Sequence, residues 1–114
     1  MLSTDTLEIM MQKQLELQQR LGYDLKNDIL WNVDFIKLNY IAVSVELAEM
    51  LQEIPFKPWK KSAVLNKENF KKELIDVYHF ILNLTIASGM TVKELQDAYL
   101  EKNKENHDRQ ERGY

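Results

Sequence analysis

The chain has 114 residues, 45% of them apolar and 29% charged, with a net charge of −3, proportions that fit one globular domain with a modest core. The charge argues against a polymeric nucleic acid as partner, and the absence of cysteine excludes disulfides, thiolate zinc and cysteine nucleophiles. Two histidines make a zinc site a poor fit, and only three glycines and two prolines leave few breakers, so an all-α chain is expected.

The first predicted helix runs from about Thr4 to Leu21, with Ser3, Thr4 and Asp5 as capping side chains and Gly22 as the stop. Leu7, Met11 and Leu15 form its apolar stripe, and the glutamines Gln12, Gln14, Gln18 and Gln19 read as solvated surface. The second helix is expected from about Asp28 to Glu53. Its second half, Tyr40 to Leu51, is apolar on nearly every side and is interrupted only by Ser44, Glu46 and Glu49. Pro55 and Pro58 end it and stiffen a loop that carries Phe56, Trp59 and three lysines. The third helix starts at an Asn66 cap and runs to Ser88, before Gly89; it too is apolar almost all round beyond Leu74. Thr91-x-x-Glu94 has the spacing of a capping box and opens a fourth helix through Leu95, Ala98, Tyr99 and Leu100. From about 101 to 114 the chain reads as a polar tail of a single domain spanning 1–114. No apolar run is long and clean enough to span a bilayer, and the opening Met-Leu-Ser-Thr-Asp has neither the basic region nor the apolar stretch of a leader, so a cytoplasmic protein is expected.

Two helices that are apolar all round cannot both be covered by so short a chain. The expectation is a bundle of about four helices whose core, including any metal site, is completed by oligomerisation as a homodimer or homotetramer.

Glu46-x-x-Glu49 and Glu73-x-x-Asp76 each place two carboxylates on one helix face. Spacing alone is weak evidence, because Asp5/Glu8, Glu94/Asp97 and Glu105/Asp108 share it; those three pairs lie among polar neighbours and read as solvated faces. The two central pairs lie in runs without lysine or arginine, where an ionised carboxylate needs a partner or protonates. Four converging carboxylates suit a hard divalent ion, Mg²⁺ or Mn²⁺. The alternative is buried salt bridges to Lys57, Lys60 or Lys72.

Glu46-x-x-Glu49, twenty-three intervening residues, then Glu73-x-x-Asp76 resembles the signature of the all-α NTP pyrophosphatase superfamily, which includes MazG-type enzymes and the dimeric dUTPases. Lys57-Pro58-Trp59-Lys60, Asp76-Val77-Tyr78-His79-Phe80, the tail from Lys102 to Gln110 with Gly113-Tyr114, and Gln12 in the first helix are similar to features of the dUTPase branch. Two departures stand out: Glu16 replaces the Asn or Asp common four residues after that glutamine, and helices three and four are joined almost directly where the branch usually has additional helices.

The resemblance implies hydrolysis of dUTP to dUMP and pyrophosphate, with Mg²⁺ held by Glu46, Glu49, Glu73 and Asp76 and with Glu49 as the acid that activates water. It implies phosphate contacts from Lys60, Lys102, Asn106 and Arg109, the last three forming one stripe if helical, with Lys61 adding charge. Gln12, Trp59, His79, Phe80, Asn83 and Tyr114 are its nucleoside residues. Two rival readings are a pyrophosphatase for another nucleotide, such as dCTP or a damaged one, and a non-catalytic helical dimerisation or regulatory module.

Overall fold

The computed structural model describes residues 5–61 and 64–113; the expected caps Ser3 and Thr4 lie outside them. The described chain is all-α. Helix α1 spans Asp5–Arg20, a single π-helical turn spans Leu25–Ile29, and helices α2, α3 and α4 span Val33–Leu51, Lys67–Ala87 and Val92–Glu111.

Helices α2 and α3 form an antiparallel hairpin. The amide of Asn66 donates to the carbonyl of Glu53 at 2.8 Å and closes the connecting loop. Further along, Glu46 meets Glu73 and Asn39 meets Asn83, in opposite chain directions. Helix α1 lies across the Asn83 end of this hairpin through Gln14 and Gln18. The buried apolar core is small: Met11, Ile29, Phe35, Leu82, Ile86 and Ala87. Tyr23 closes one side by meeting the Phe35 ring edge-on, with centroids 5.3 Å apart.

The N-terminal cap side chains explain most boundaries. Asn66 accepts from Asn69 N–H, and Thr91 and Glu94 form the reciprocal box that their spacing predicts. The second helix begins later than expected. Asp24 and Asp28 bind nearby backbone amides and hold residues 25–29 in the π turn. Trp31 then takes φ +51°, and Asn32 caps a fresh start at Val33. The break also serves α3, because Trp31 N–H donates to the carbonyl of Ala87 at the C-terminal end of that helix. Gly89 has φ +74°, and a Cβ there would sit 3.1 Å from Leu30 Cδ1, so glycine fits both the backbone and the space. Beyond this turn α4 leaves at 107° to α3. The polar stretch from Glu101 is no loose tail: it continues α4 to Glu111.

The all-round apolar helices are not covered within one chain. Tyr40 is 67% exposed and Ile41 56% on α2, and Ile75 is 55% exposed on α3. No single helix among the described residues is long and apolar enough to cross a membrane.

Candidate metal centre and nucleoside cleft

Glu46 and Glu49 come from the last turns of α2, and Glu73 faces them from the second turn of α3. One carboxylate oxygen from each lies within 4.8 Å of the others. Glu46 Oε2 and Glu73 Oε2 are buried and have no hydrogen-bond partner, a state that a carboxylate does not tolerate without a cation or a proton. The Glu73 carboxyl is held above the ordinary carboxylate range. The facing Glu46 carboxyl is the largest cause, followed by burial; the Glu49 carboxyl pulls the other way, and the Asp76 charge pushes upward again. None of the ion pairs among the described residues engages these four acids, so the salt-bridge alternative with Lys57, Lys60 or Lys72 finds no support. Two of the three pairs read as solvated faces behave differently: Glu94 caps its helix and Asp97 pairs with Lys93 at 2.7 Å, and Glu105 pairs with Arg109 at 3.0 Å.

An orphaned pair of buried oxygens beside an exposed third carboxylate is a donor set that fits a hard cation, and Glu46, Glu49 and Glu73 are the residues that would hold it. Asp76 stands one turn further along α3. It is exposed and lines the adjoining cleft rather than joining the three-acid cluster.

That cleft, about 480 Å³, opens between α1, α2 and α3, a size suited to a small ligand. Four of the expected residues meet there: Asp76, His79, Phe80 and Asn83. Buried amides supply its polar lining. Gln14 Nε2 and Gln18 Nε2 both donate to Asn83 Oδ1, at 2.6 and 3.1 Å. Asn83 Nδ2 donates to Asn39 Oδ1 at 2.8 Å, and Gln14 Oε1 lies 2.8 Å from His79 Nδ1.

The reading of every first-helix glutamine as surface is therefore corrected: Gln14 and Gln18 are 3% and 5% exposed. Gln12, the glutamine assigned to the nucleoside, is exposed and lines a different cleft, of about 800 Å³, between α1 and the start of α4. The helix-wheel signal was available, since Met11, Gln14 and Gln18 lie at i, i+3 and i+7 and share the core-facing stripe. Asn39 carried no such signal, because it sits in the mixed first half of α2.

Other expected contacts are not gathered at the cleft. Trp59 is 76% exposed on the loop, and Lys60 and Lys61 beside it are exposed. Lys102, Asn106 and Arg109 do form one stripe on α4, and within the chain Lys102 and Arg109 lean on Glu105 at 3.8 and 3.0 Å. Tyr114 lies outside the described residues.

Residues 6–91 match the dUTPase family. The chain is 31% identical to a dCTP pyrophosphatase of Enterobacteria phage LZ5, across 96% of this chain and 83% of that protein. A 44-residue stretch is 46% identical to the dCTP pyrophosphatase of Enterobacteria phage T4, covering 39% of this chain and 26% of that protein. The LZ5 alignment is 143 positions long, longer than this chain, so gaps open in this chain against it. No solved structure matches. The helical hairpin, its facing acids and the match over residues 6–91 together identify this chain as a member of the dUTPase family, of the all-α, MazG-like kind.

Proposed function

We propose that this protein is a nucleotide pyrophosphatase that hydrolyses dUTP to dUMP and pyrophosphate with Mg²⁺ or Mn²⁺ as cofactor, and that it works as a homodimer or homotetramer. The observation that carries the reading is the adjacency of two unlike surfaces on one helical hairpin: a cluster of carboxylates with orphaned oxygens, and an amide-lined cleft of nucleoside size. When bound, the metal neutralises charge on the phosphate oxygens and lowers the pKa of a coordinated water.

The chain's own residues supply the rest. Glu46 and Glu73 are half-buried, each with one buried oxygen, and Asp76 stands one turn along. Glu49, the exposed member of the cluster, has room to accept a proton from the attacking water. Phe80 is half-buried at the cleft wall and offers a face for the base. The phosphates fall to the cations: Lys60 on the loop and the Lys102, Asn106, Arg109 stripe of α4, which in an oligomer serve a neighbouring site as readily as their own.

A second reading, dCTP as substrate, is favoured by the names of both phage relatives, each a dCTP pyrophosphatase. Carboxamides do not separate the two bases by type, since each presents a donor and an acceptor and reads uracil in one orientation and cytosine in the other. The deciding experiment incubates the protein with Mg²⁺ and each of dUTP, dCTP, dTTP, dATP, dGTP and UTP, and follows monophosphate and pyrophosphate release, with EDTA as control. Preference for dUTP supports the first reading, and preference for dCTP the second. No hydrolysis, together with no Mg²⁺-dependent stabilisation, leaves a non-catalytic helical module.

A further inference from the structure

The amide chain in the cleft has a direction, and one backbone carbonyl sets it. Asn39 Nδ2 lies 2.9 Å from the carbonyl oxygen of Phe35. A carbonyl only accepts, so the side-chain nitrogen of Asn39 must face it and Oδ1 must face Asn83. Asn83 answers with Nδ2 at 2.8 Å, which turns its own Oδ1 toward α1. Two donors then converge on that oxygen, Nε2 of Gln14 and Nε2 of Gln18. With its nitrogen committed, Gln14 presents Oε1 to His79 Nδ1 at 2.8 Å. An amide oxygen accepts, so Nδ1 carries the hydrogen, and in the neutral ring Nε2 is left as an acceptor. Each step is a forced choice between two orientations, and all but the last bond lie in buried surroundings, where an unmade bond is costly.

We propose that Asn39 is a positioning residue that acts through Asn83 and Gln14 to hold His79 as the Nδ1–H tautomer, so that the ring offers Nε2 as an acceptor to a donor group on the bound nucleotide. This deepens the pyrophosphatase reading and rests on it for the identity of the ligand; the tautomer does not.

The test reads the tautomer of His79 by long-range proton–nitrogen NMR on the full chain without nucleotide, at a pH where both imidazoles are neutral. Only two histidines are present, and His107→Gln leaves the His79 signals alone. The expected wild-type pattern is a protonated Nδ1 and a pyridine-like Nε2. Asn39→Leu removes the orienting oxygen, so both directions of the amide chain become comparable and a mixed or Nε2–H pattern is expected. Asn39→Asp still accepts from Asn83 and retains Nδ1–H. In the same variants, Asn39→Leu is expected to raise KM for the preferred nucleotide about tenfold, the worth of one hydrogen bond, with a smaller change in kcat. An Nε2–H pattern in the wild type overturns the proposal whether or not any variant folds, and so does an unchanged Nδ1–H pattern in a folded Asn39→Leu protein. Absence of turnover with the expected tautomer present would instead count against the pyrophosphatase reading alone.

Discussion

At the residue scale the acids carry the heaviest consequences. Glu49→Gln keeps size and helix propensity but removes the basic oxygen, so turnover should fall by about 10²–10⁴-fold while the circular dichroism spectrum stays the same. Normal turnover in that variant would mean that Glu49 does not activate the water. Glu73→Gln tests the cluster differently. It removes one of the charges that crowd Glu46, so in EDTA the variant should melt higher than the wild type, whereas on adding Mg²⁺ only the wild type should gain stability. With the ion at a hundred times its dissociation constant that gain is about 2.7 kcal/mol. A Glu73→Gln protein that melts lower in EDTA would show that the carboxylate is tied to a structural partner. These acids were legible in the sequence because charge inside an apolar run is rare and has few explanations. Gln14 and Gln18 were not, because glutamine is common on solvated faces and only its place on the Met11 stripe marks it as buried. Asn39 was invisible, since its role depends on a carbonyl one turn back and an amide on another helix.

At the element scale, capping chemistry made the starts of α3 and α4 readable to within a residue or two, because Asn66, Thr91 and Glu94 announce their positions by type and spacing, whereas the end of α4 was not: its polar second half runs on to Glu111 with no apolar stripe to mark it. The π turn at Leu25–Ile29 was not readable: its apolar spacing is helical, and the interruption comes from Asp24 and Asp28 turning back on local amides. The junction it forms with the end of α3 is tight. Gly89→Ala places a methyl group near Leu30 on a backbone with positive φ, and should cost on the order of 1–3 kcal/mol in urea unfolding. Thr91→Ala, which only removes a cap, should cost about 1 kcal/mol. If the two variants were equally mild, the Leu30 contact would carry little weight.

For the whole molecule, the single chain is open. Its radius of gyration is 17.5 Å, where about 13 Å is usual for a compact chain of this length. Helix α4, which leaves α3 at 107° and has no buried residue, opens that shape; the apolar faces of α2 and α3 stay exposed, and a second copy of the chain is the partner we propose for them. Sedimentation should show an assembly of more than one chain. The double variant Ile41→Asp, Val45→Asp should shift it toward a monomer of lower melting temperature. A wild type that sediments as a monomer would remove the oligomer from the reading and leave these faces unexplained. The sequence announced this openness as a surplus of apolar helix surface, but it did not say which faces stay bare, because that depends on how α1 crosses the hairpin.

The α2–α3 hairpin also behaves as a caliper. Asp76 and Asn83 lie seven residues apart on one helix, two turns and about 10 Å of rise, so both point the same way and their separation is fixed by helical pitch rather than by a loop. One jaw is made of carboxylates and the other of amides. The opening between them cannot be tuned gradually, because inserting a single residue between Asp76 and Asn83 turns one jaw by about 100° away from the other. Ligand length is therefore the property that such a frame is least able to change, while the amide jaw remains free to vary its chemistry without disturbing the carboxylates two turns away.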